Sequence, residues 1–295
     1  MATLSAIIPT RDRPDLLADA LRSLMLQTRT DFEVVVVDDG SEADLEAVVH
    51  SVRGPVPIRY VRQEPAGLNV GRNHGAEVAK SDVLAYLDDD TIVDSGWADA
   101  MVHAFSDTRC AAVAGRIRLW FEGRPPDWLT PALRSYLSEL DLGDSPRELL
   151  EELPYGANCA VTRGWWEKAG GFRVGLDRIG TSLVSNGDIE FFLKVRTEGG
   201  KIVYQPRASV LHRVPASRLT ADFFHRRAYA QGVSDVLLQR AVDPTSSQRL
   251  GREMVRAARV APVLAKGVAN GSGTRNARCW LAYTRGRVAA IRGAP

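Results

Sequence analysis

Over the first 120 positions, apolar residues follow two alternating rhythms. Short apolar runs of strand length occur at Leu4–Pro9, Phe32–Val37, Ile58–Val61 and Val83–Leu87. The second of these is rich in valine, as expected for a parallel strand covered on both faces. Between the runs, apolar residues return at helical spacing, first as Leu16, Leu17, Ala20, Leu21 and Leu24. Asp12 is expected to cap that helix, with Pro14 in its first turn. Further helices are predicted near Glu42–Val52, Gly67–Ala79 and Gly96–Phe105, and a strand over Ala111–Leu119. This alternation predicts an α/β fold: an open, doubly wound, mainly parallel sheet flanked by helices and joined by right-handed crossovers. Ligands bind such sheets beyond the carboxyl ends of the strands, and Pro9-Thr10, Asp38-Asp39 and Asp88–Asp90 all fall at such ends.

Beyond Phe121 the rhythm changes. Gly123, Pro125, Pro126, Pro131 and Pro146 interrupt the stretch to Leu153, which reads as an irregular excursion with short helices. Strand character returns at Tyr155–Val161. A helix is predicted over Asp188–Thr197 with Phe191, Phe192 and Val195 inward, followed by a strand at Lys201–Tyr204. The remaining residues read as a helical extension broken at Pro244, Pro262 and Gly271-Ser272-Gly273.

Composition narrows the class. A chain of 295 residues with 45% hydrophobic residues suffices for one large α/β domain with an appendage. No apolar run approaches the ~18–20 residues that span a bilayer, and Met1–Ser5 carries no basic leader pattern. Cys110, Cys159 and Cys279 are scattered, without disulfide or zinc spacing, which favours a reducing, cytoplasmic setting. The net charge of +2 hides an asymmetry, because residues 213–295 contain 15 Lys/Arg and 4 Asp/Glu. A basic tail of this kind suits an anionic partner: membrane phospholipid, a polyanionic glycan or nucleic acid.

The chemistry is concentrated where Val83–Leu87 ends in Asp88, Asp89 and Asp90. Three carboxylates at a strand end are costly unless a cation neutralises them. Carboxylate oxygens suit Mg²⁺ or Mn²⁺, which fill their remaining positions with water and substrate phosphate.

Several segments then fall in a recognisable order: Ile7-Ile8-Pro9-Thr10-Arg11-Asp12-Arg13, Val37-Asp38-Asp39-Gly40-Ser41, Gly71-Arg72-Asn73-His74-Gly75, Leu87–Asp90, Gly156-Ala157-Asn158, Gly170-Gly171-Phe172, Gly187-Asp188-Ile189-Glu190 and Val210-Leu211-His212. Over residues 4–212 this order resembles the glycosyltransferase family 2 proteins, which have the GT-A fold and generally invert the anomeric centre. The resemblance implies a catalytic domain over 1–212, with a nucleotide-binding part over 1–120 and an acceptor-binding part over 121–212, followed by a basic helical extension over 213–295. It implies a nucleoside-diphosphate-sugar donor and a divalent metal, Mn²⁺ or Mg²⁺. Pro9, Thr10, Arg13 and Arg72 would approach the nucleotide, and Asp39, before Asp38, would take the base or ribose. Asp90 would ligate the metal and Asp88 the ribose or metal-bound water, with Asp89 beside them. His212 falls where some members supply another metal ligand. Asp188 occupies the position of the general base, with Glu190 as its substitute. Gly187 departs from the glutamate often found there, which weakens inference about the acceptor. Asn158 and Trp165, with Trp166, would line the sugar or acceptor pocket.

A nucleotidyltransferase would want a glycine-rich, basic loop after the first strand, where this chain has Pro9-Thr10-Arg11-Asp12-Arg13, and Asp88–Asp90 with Asp188 argue against a donor-binding scaffold without turnover. An acidic group at Asp39 favours UDP- or dTDP-sugars over GDP-sugars. The acceptor hydroxyl belongs to a glycan, a lipid-linked glycan or a small molecule; nucleic acid is not expected. The basic tail is compatible with peripheral membrane contact, and the helices holding Phe223, Phe224 and Tyr229 with covering the acceptor or pairing two copies.

Overall fold

The computed structural model describes residues 3–177, 182–243 and 273–293. By internal contacts the chain divides into two compact units. The first comprises Met1–Trp120, Ser138–Gly175 and Gly187–Arg213; the second comprises Phe121–Leu137, Leu176–Asn186 and Val214–Pro295. The second unit thus takes in two excursions as well as the C-terminal extension.

The first unit opens with β1 (Ser5–Thr10), α1 (Pro14–Met25), β2 (Glu33–Asp38), α2 (Leu45–Ser51), β3 (Ile58–Arg62), α3 (Leu68–Val78) and β4 (Val83–Leu87). Val34, Val35, Val36 and Val37 are all fully buried, as a strand covered on both faces requires. Leu17, Leu21 and Leu24 bury the inner stripe of α1. Asp12 does not cap that helix: the cap position is Arg13, which makes no side-chain cap bond. Asp12 sits in the left-handed region, φ 53°, and its carboxylate accepts from Glu42 N at 2.6 Å and Ala43 N at 3.2 Å. It therefore holds the loop before α2, which is itself capped by Asp44 accepting from Ala47 N.

Next come β5 (Thr91–Val93), α4 (Trp97–Ala104) and β6 (Cys110–Phe121), which runs to the edge of the second unit. After the short α5 (Pro131–Arg134) of that unit, the first unit resumes with β7 (Arg147–Glu148), β8 (Asn158–Thr162), α6 (Arg163–Ala169), α7 (Gly187–Thr197) and β9 (Lys201–Val214). The strand order is β3-β2-β1-β4-β8-β6-β9-β5, with β7 also on β9. β3-β2, β2-β1 and β1-β4 pair in parallel; β4-β8, β8-β6, β5-β9 and β7-β9 are antiparallel. The expected α/β class holds, with a mixed sheet. β9 extends 14 residues, well past Tyr204. Pro206 lies between the stretch paired with β7 and the stretch paired with β5, so on that edge it owes no ladder hydrogen bond.

Two registers place the chemistry. Leu87 pairs with Asn158, which brings the start of β8 to the carboxyl edge of β4. Thr91 pairs with His212, which brings the far end of β9 beside the aspartate triplet.

In the second unit, α8 (Ala221–Val242) starts at Thr220, whose hydroxyl accepts from Phe223 N at 3.2 Å. Phe223 and Phe224 are buried there, Phe224 edge-on to Trp128 at 5.2 Å, so neither ring is available to pair two copies. α8 crosses α9 (Gly273–Ile291) where a side chain at Gly232 would strike the Tyr283 carbonyl and one at Gly286 would strike the Tyr229 carbonyl. Beside this crossing, Asp235 accepts from Gln231 Nε2 at 2.8 Å, Tyr283 Oη at 2.7 Å and Asn186 Nδ2 at 2.9 Å. The breaks expected at Pro244, Pro262 and Gly271-Ser272 lie outside the described residues. Among the described residues, no helix is long and apolar enough to cross a membrane.

Candidate active site

Ends of β1, β2 and β4 open on one edge of the sheet, and the aspartate triplet follows β4 directly. Its three members have different surroundings. Asp88 is the most accessible, 30% exposed, and its Oδ1 lies 3.4 Å from Arg72 Nη2. Asp89 turns inward, where Oδ2 accepts from Thr10 Oγ1 at 2.8 Å and Oδ1 from Arg13 Nη1 at 2.9 Å. Asp90 is buried, with Oδ1 3.1 Å from His212 Nε2 and Oδ2 3.5 Å from Arg13 Nη1. Burial pushes the Asp89 carboxyl up to about 6, against the pull of Arg13 and with Asp90 adding to the rise. Three carboxylates meet two arginines here, Arg13 and Arg72, which leaves an excess of carboxylate.

Asp88, Asp90 and His212 each bring one ligand atom to within 4.8 Å of the others. Around an octahedral ion with ligands at about 2.1–2.2 Å, neighbouring ligand atoms stand about 3 Å apart and opposite ones about 4.3 Å apart. The 3.1 Å between Asp90 and His212 matches a neighbouring pair. Two carboxylates and one imidazole suit Mn²⁺ or Mg²⁺, the imidazole favouring Mn²⁺. These residues fit a divalent metal, and that metal would relieve the charge deficit around Asp89.

Arg72 is nearly fully buried at the centre of the site, 5.3 Å from the centroid of the Phe172 ring, with Asn69 Oδ1 3.3 Å from Nη1. Its guanidinium occupies the space that a side chain at Gly156 would need. The Gly156 N–H donates to Asp188 Oδ2 at 2.8 Å. Gly156 therefore joins the two ends of the site, with Arg72 and Asp88 on one side and Asp188 on the other. Asp188 lies in the first turn of α7, partly exposed, and its Oδ1 accepts from Ile189 N at 2.9 Å. Each oxygen keeps a further lone pair for a proton. Gly156 does not use a left-handed conformation, so alanine suits its backbone. Gly156→Ala is expected to displace Arg72 and the Asp188 anchor together, lowering kcat/KM by about 10²-fold with a stability loss of about 1–3 kcal/mol. Steady-state turnover beside a thermal melt tests this; wild-type turnover would remove Gly156 from the site.

Asp39 occupies the end of β2. Its Oδ1 accepts from Gln63 Nε2 at 2.7 Å and Ala66 N at 2.8 Å, and Oδ2 from Gly67 N at 3.0 Å. Oδ2 retains an acceptor position. Gln63 in turn lies 3.0 Å from His74 Nδ1, so with its amide donating to Asp39 its carbonyl oxygen accepts from that nitrogen. Asp38, the second choice, is fully buried beneath Tyr60, Arg62 and Ser41 N and belongs to the framework.

Other expected positions change role. Pro9 is buried under α3, 3.3 Å from where a side chain at Gly71 would begin, so it packs rather than binds. Thr10 donates to Asp89, which accepts from Arg13, so the two together mount Arg13 at the site. Asn158 is fully buried: its amide donates to Arg116 O and Ala208 O and accepts from Trp97 Nε1, tying three strands and α4 together. It lines no pocket. Glu190 is buried, and its Oε1 pairs with Arg173 at 2.8 Å and Lys194 at 3.0 Å, so it braces Arg173 against α7. Trp165 lies on α6, beyond the Thr162–Val83 pair and hence at the opposite edge of the sheet, with Lys168 over its ring at 4.3 Å. Asn73 clamps Phe172, accepting from its N–H and donating to its carbonyl. The contacts of Phe172 and Gly156 with Arg72 carry no signal in the sequence, since they join residues 72, 156 and 172 through the fold.

A mixed sheet with an acidic cluster at the carboxyl end of its parallel half, a buried arginine beside it and an accessible carboxylate opposite is the layout of a GT-A glycosyltransferase. Residues 5–164, more than half of the chain, match the family model described as "Glycosyl transferase family 2". The chain belongs to glycosyltransferase family 2. Among curated proteins it is 25% identical over 246 residues to a glucosyl-dolichyl phosphate glucuronosyltransferase of Haloferax volcanii, covering 79% of this chain and 76% of that protein. It is 28% identical over 230 residues to the succinoglycan biosynthesis protein ExoM of Rhizobium meliloti, covering 76% and 71%. Among solved structures, a mannosyltransferase of Pyrobaculum calidifontis in complex with GDP-Man and Mn²⁺ shares the fold at a TM-score of 0.65 and 18% identity, over 99% of this chain and 88% of that one.

Proposed function

We propose that this glycosyltransferase moves a sugar from a nucleoside-diphosphate donor, UDP- or dTDP-linked in the first instance, to an acceptor hydroxyl by an inverting single displacement. The observation that carries the reading is the Asp188 carboxylate at the head of α7, anchored through the Gly156 N–H beside Arg72 and Asp88. A carboxylate with a lone pair open to solvent can take the proton of the attacking hydroxyl. Arg72 and Arg13 are the cations for the diphosphate, Arg13 being 41% exposed and mounted on Asp89. Asp39 Oδ2 accepts from the base or ribose, and Asp88, Asp90 and His212 hold a divalent metal. When bound, that metal neutralises the departing diphosphate. One relative is named a glucosyl-dolichyl phosphate glucuronosyltransferase and another a succinoglycan biosynthesis protein, which supports a lipid-linked sugar or a glycan as the acceptor. The basic C-terminal helices would bring the enzyme to a membrane by peripheral contact.

Nucleoside diphosphate release from a panel of UDP-, dTDP- and GDP-sugars, with Mn²⁺, Mg²⁺ or chelator, tests the reading. Slow release from one donor that stops on chelation is the expected result. Release unaffected by chelator would sink the metal assignment, and release only from GDP-sugars would overturn the role given to Asp39.

A further inference from the structure

Residues 254–295 hold eight Lys/Arg and no Asp/Glu. Within that stretch α9 has two distinct sides. Ala277, Cys279, Gly286, Arg287 and Ala290 are buried. Arg278, Leu281, Arg285 and Arg292 are exposed, Leu281 at 54%, with Val288 partly so. The positions 278, 281, 285, 288 and 292 follow alternating steps of three and four, so they form one line along the helix. Arginines recur every seven residues along it, about 10.5 Å apart at 1.5 Å per residue, with Leu281 and Val288 in the intervals. Among the described residues no carboxylate pairs with Arg278, Arg285 or Arg292. Arg287, by contrast, is buried 5.9 Å from the Tyr283 ring centroid and takes no part in the line.

We infer that this line is a docking face for an anionic lipid bilayer. Arginines reach the phosphates of lipid headgroups while the leucine and valine between them enter the acyl boundary, so one surface satisfies both residue types. A partner made of phosphate alone would leave Leu281 in water. A second copy of the chain would set arginine against arginine along the line. Charge and apolar content together therefore choose an acidic membrane surface. The inference deepens the membrane contact proposed above, and it does not depend on which donor is used.

The test uses the full chain with phosphatidylcholine vesicles, with and without phosphatidylglycerol, in a flotation assay over a salt series. Wild type is expected to bind the anionic vesicles alone and to lose binding as salt rises. The variant R278Q/R285Q/R292Q is expected to bind about 100-fold more weakly, about fivefold for each arginine, and R278K/R285K/R292K to bind as wild type. Leu281→Gln is expected to weaken binding even at low salt. Equal binding to neutral and anionic vesicles would overturn the proposal. So would a glutamine variant that binds normally while R256Q/R259Q/K266Q does not, because the contact would then lie elsewhere in the tail. Tighter binding to a single-stranded RNA than to vesicles at the same salt would replace the membrane with nucleic acid. Nucleoside diphosphate release from the same preparations keeps the two readings apart. Intact release with lost flotation is failure of the surface alone, and lost release with intact flotation is failure of the transferase reading alone.

Discussion

Asp188→Asn is expected to lower kcat/KM by about 10²–10⁴-fold, the usual contribution of a positioned base, while donor and metal binding change little. The substitution keeps the size of the side chain but gives it one oxygen where two now serve. Gly156 N and Ile189 N donate to different oxygens, so the amide satisfies one of them and turns its own N–H₂ toward the other. That mismatch costs stability on the order of 1–3 kcal/mol, a shift in the unfolding midpoint that is separable from the rate effect. Asp188 touches none of the proposed metal ligands, so calorimetry of the donor with Mn²⁺ should return the wild-type affinity. Turnover within a few-fold of wild type would remove Asp188 as the base.

Asp90→Ala is expected to act on binding rather than on the proton. Asp90 meets both His212 and Arg13. Its loss takes away a ligand atom and one of the partners that hold Arg13 toward the site. Loss of an outer partner of a metal ligand costs 10–100-fold in affinity or activity; loss of a ligand itself should reach the upper end of that range or exceed it. The donor affinity measured in Mn²⁺ should therefore fall by about 10²-fold, and excess Mn²⁺ should recover part of it. Asp89→Asn, which alters only the mount of Arg13, should fall less. Donor affinity in Asp90→Ala that is unchanged at every Mn²⁺ concentration would exclude Asp90 as a ligand.

Much of the parallel half was legible in sequence because its signals are local. Four apolar runs of strand length are separated by helical spacing, and their ends coincide with Thr10, Asp38-Asp39 and Asp88–Asp90. The antiparallel half was harder, because its strands are defined by partners far away in sequence. Thr91–Val93 is too short to show a period and exists as a strand through its pairing with Val210–His212. The strand expected at Lys201–Tyr204 runs on through Pro206 to Val214, because its far half is defined by the distant partner Thr91–Val93. Residue type alone also misassigned roles wherever a polar side chain was already committed inside the fold. Asn158, Glu190 and Asp89 have the right chemistry for a substrate site, but each is buried among partners of its own: Asn158 between Arg116 and Ala208, Glu190 with Arg173 and Lys194, and Asp89 with Thr10 and Arg13. Trp165 was misplaced because the direction of β8, and hence the edge at which α6 begins, is not written in its own residues.

The crossing of α8 and α9 at Gly232 and Gly286 also bears on genetics. Each glycine lies against a carbonyl of the opposite helix, so a single added methyl forces backbone from backbone, with no flexible side chain to absorb it. Overpacking of this kind costs about 1–3 kcal/mol. Such a loss is tolerable in the cold and severe near the melting temperature. Gly232→Ala or Gly286→Ala would thus make a temperature-sensitive allele whose lesion is confined to the C-terminal helices, since every residue of the metal-and-base cluster belongs to the other unit. A culture shifted to the restrictive temperature would reveal what those helices contribute in the cell, with the catalytic residues themselves untouched.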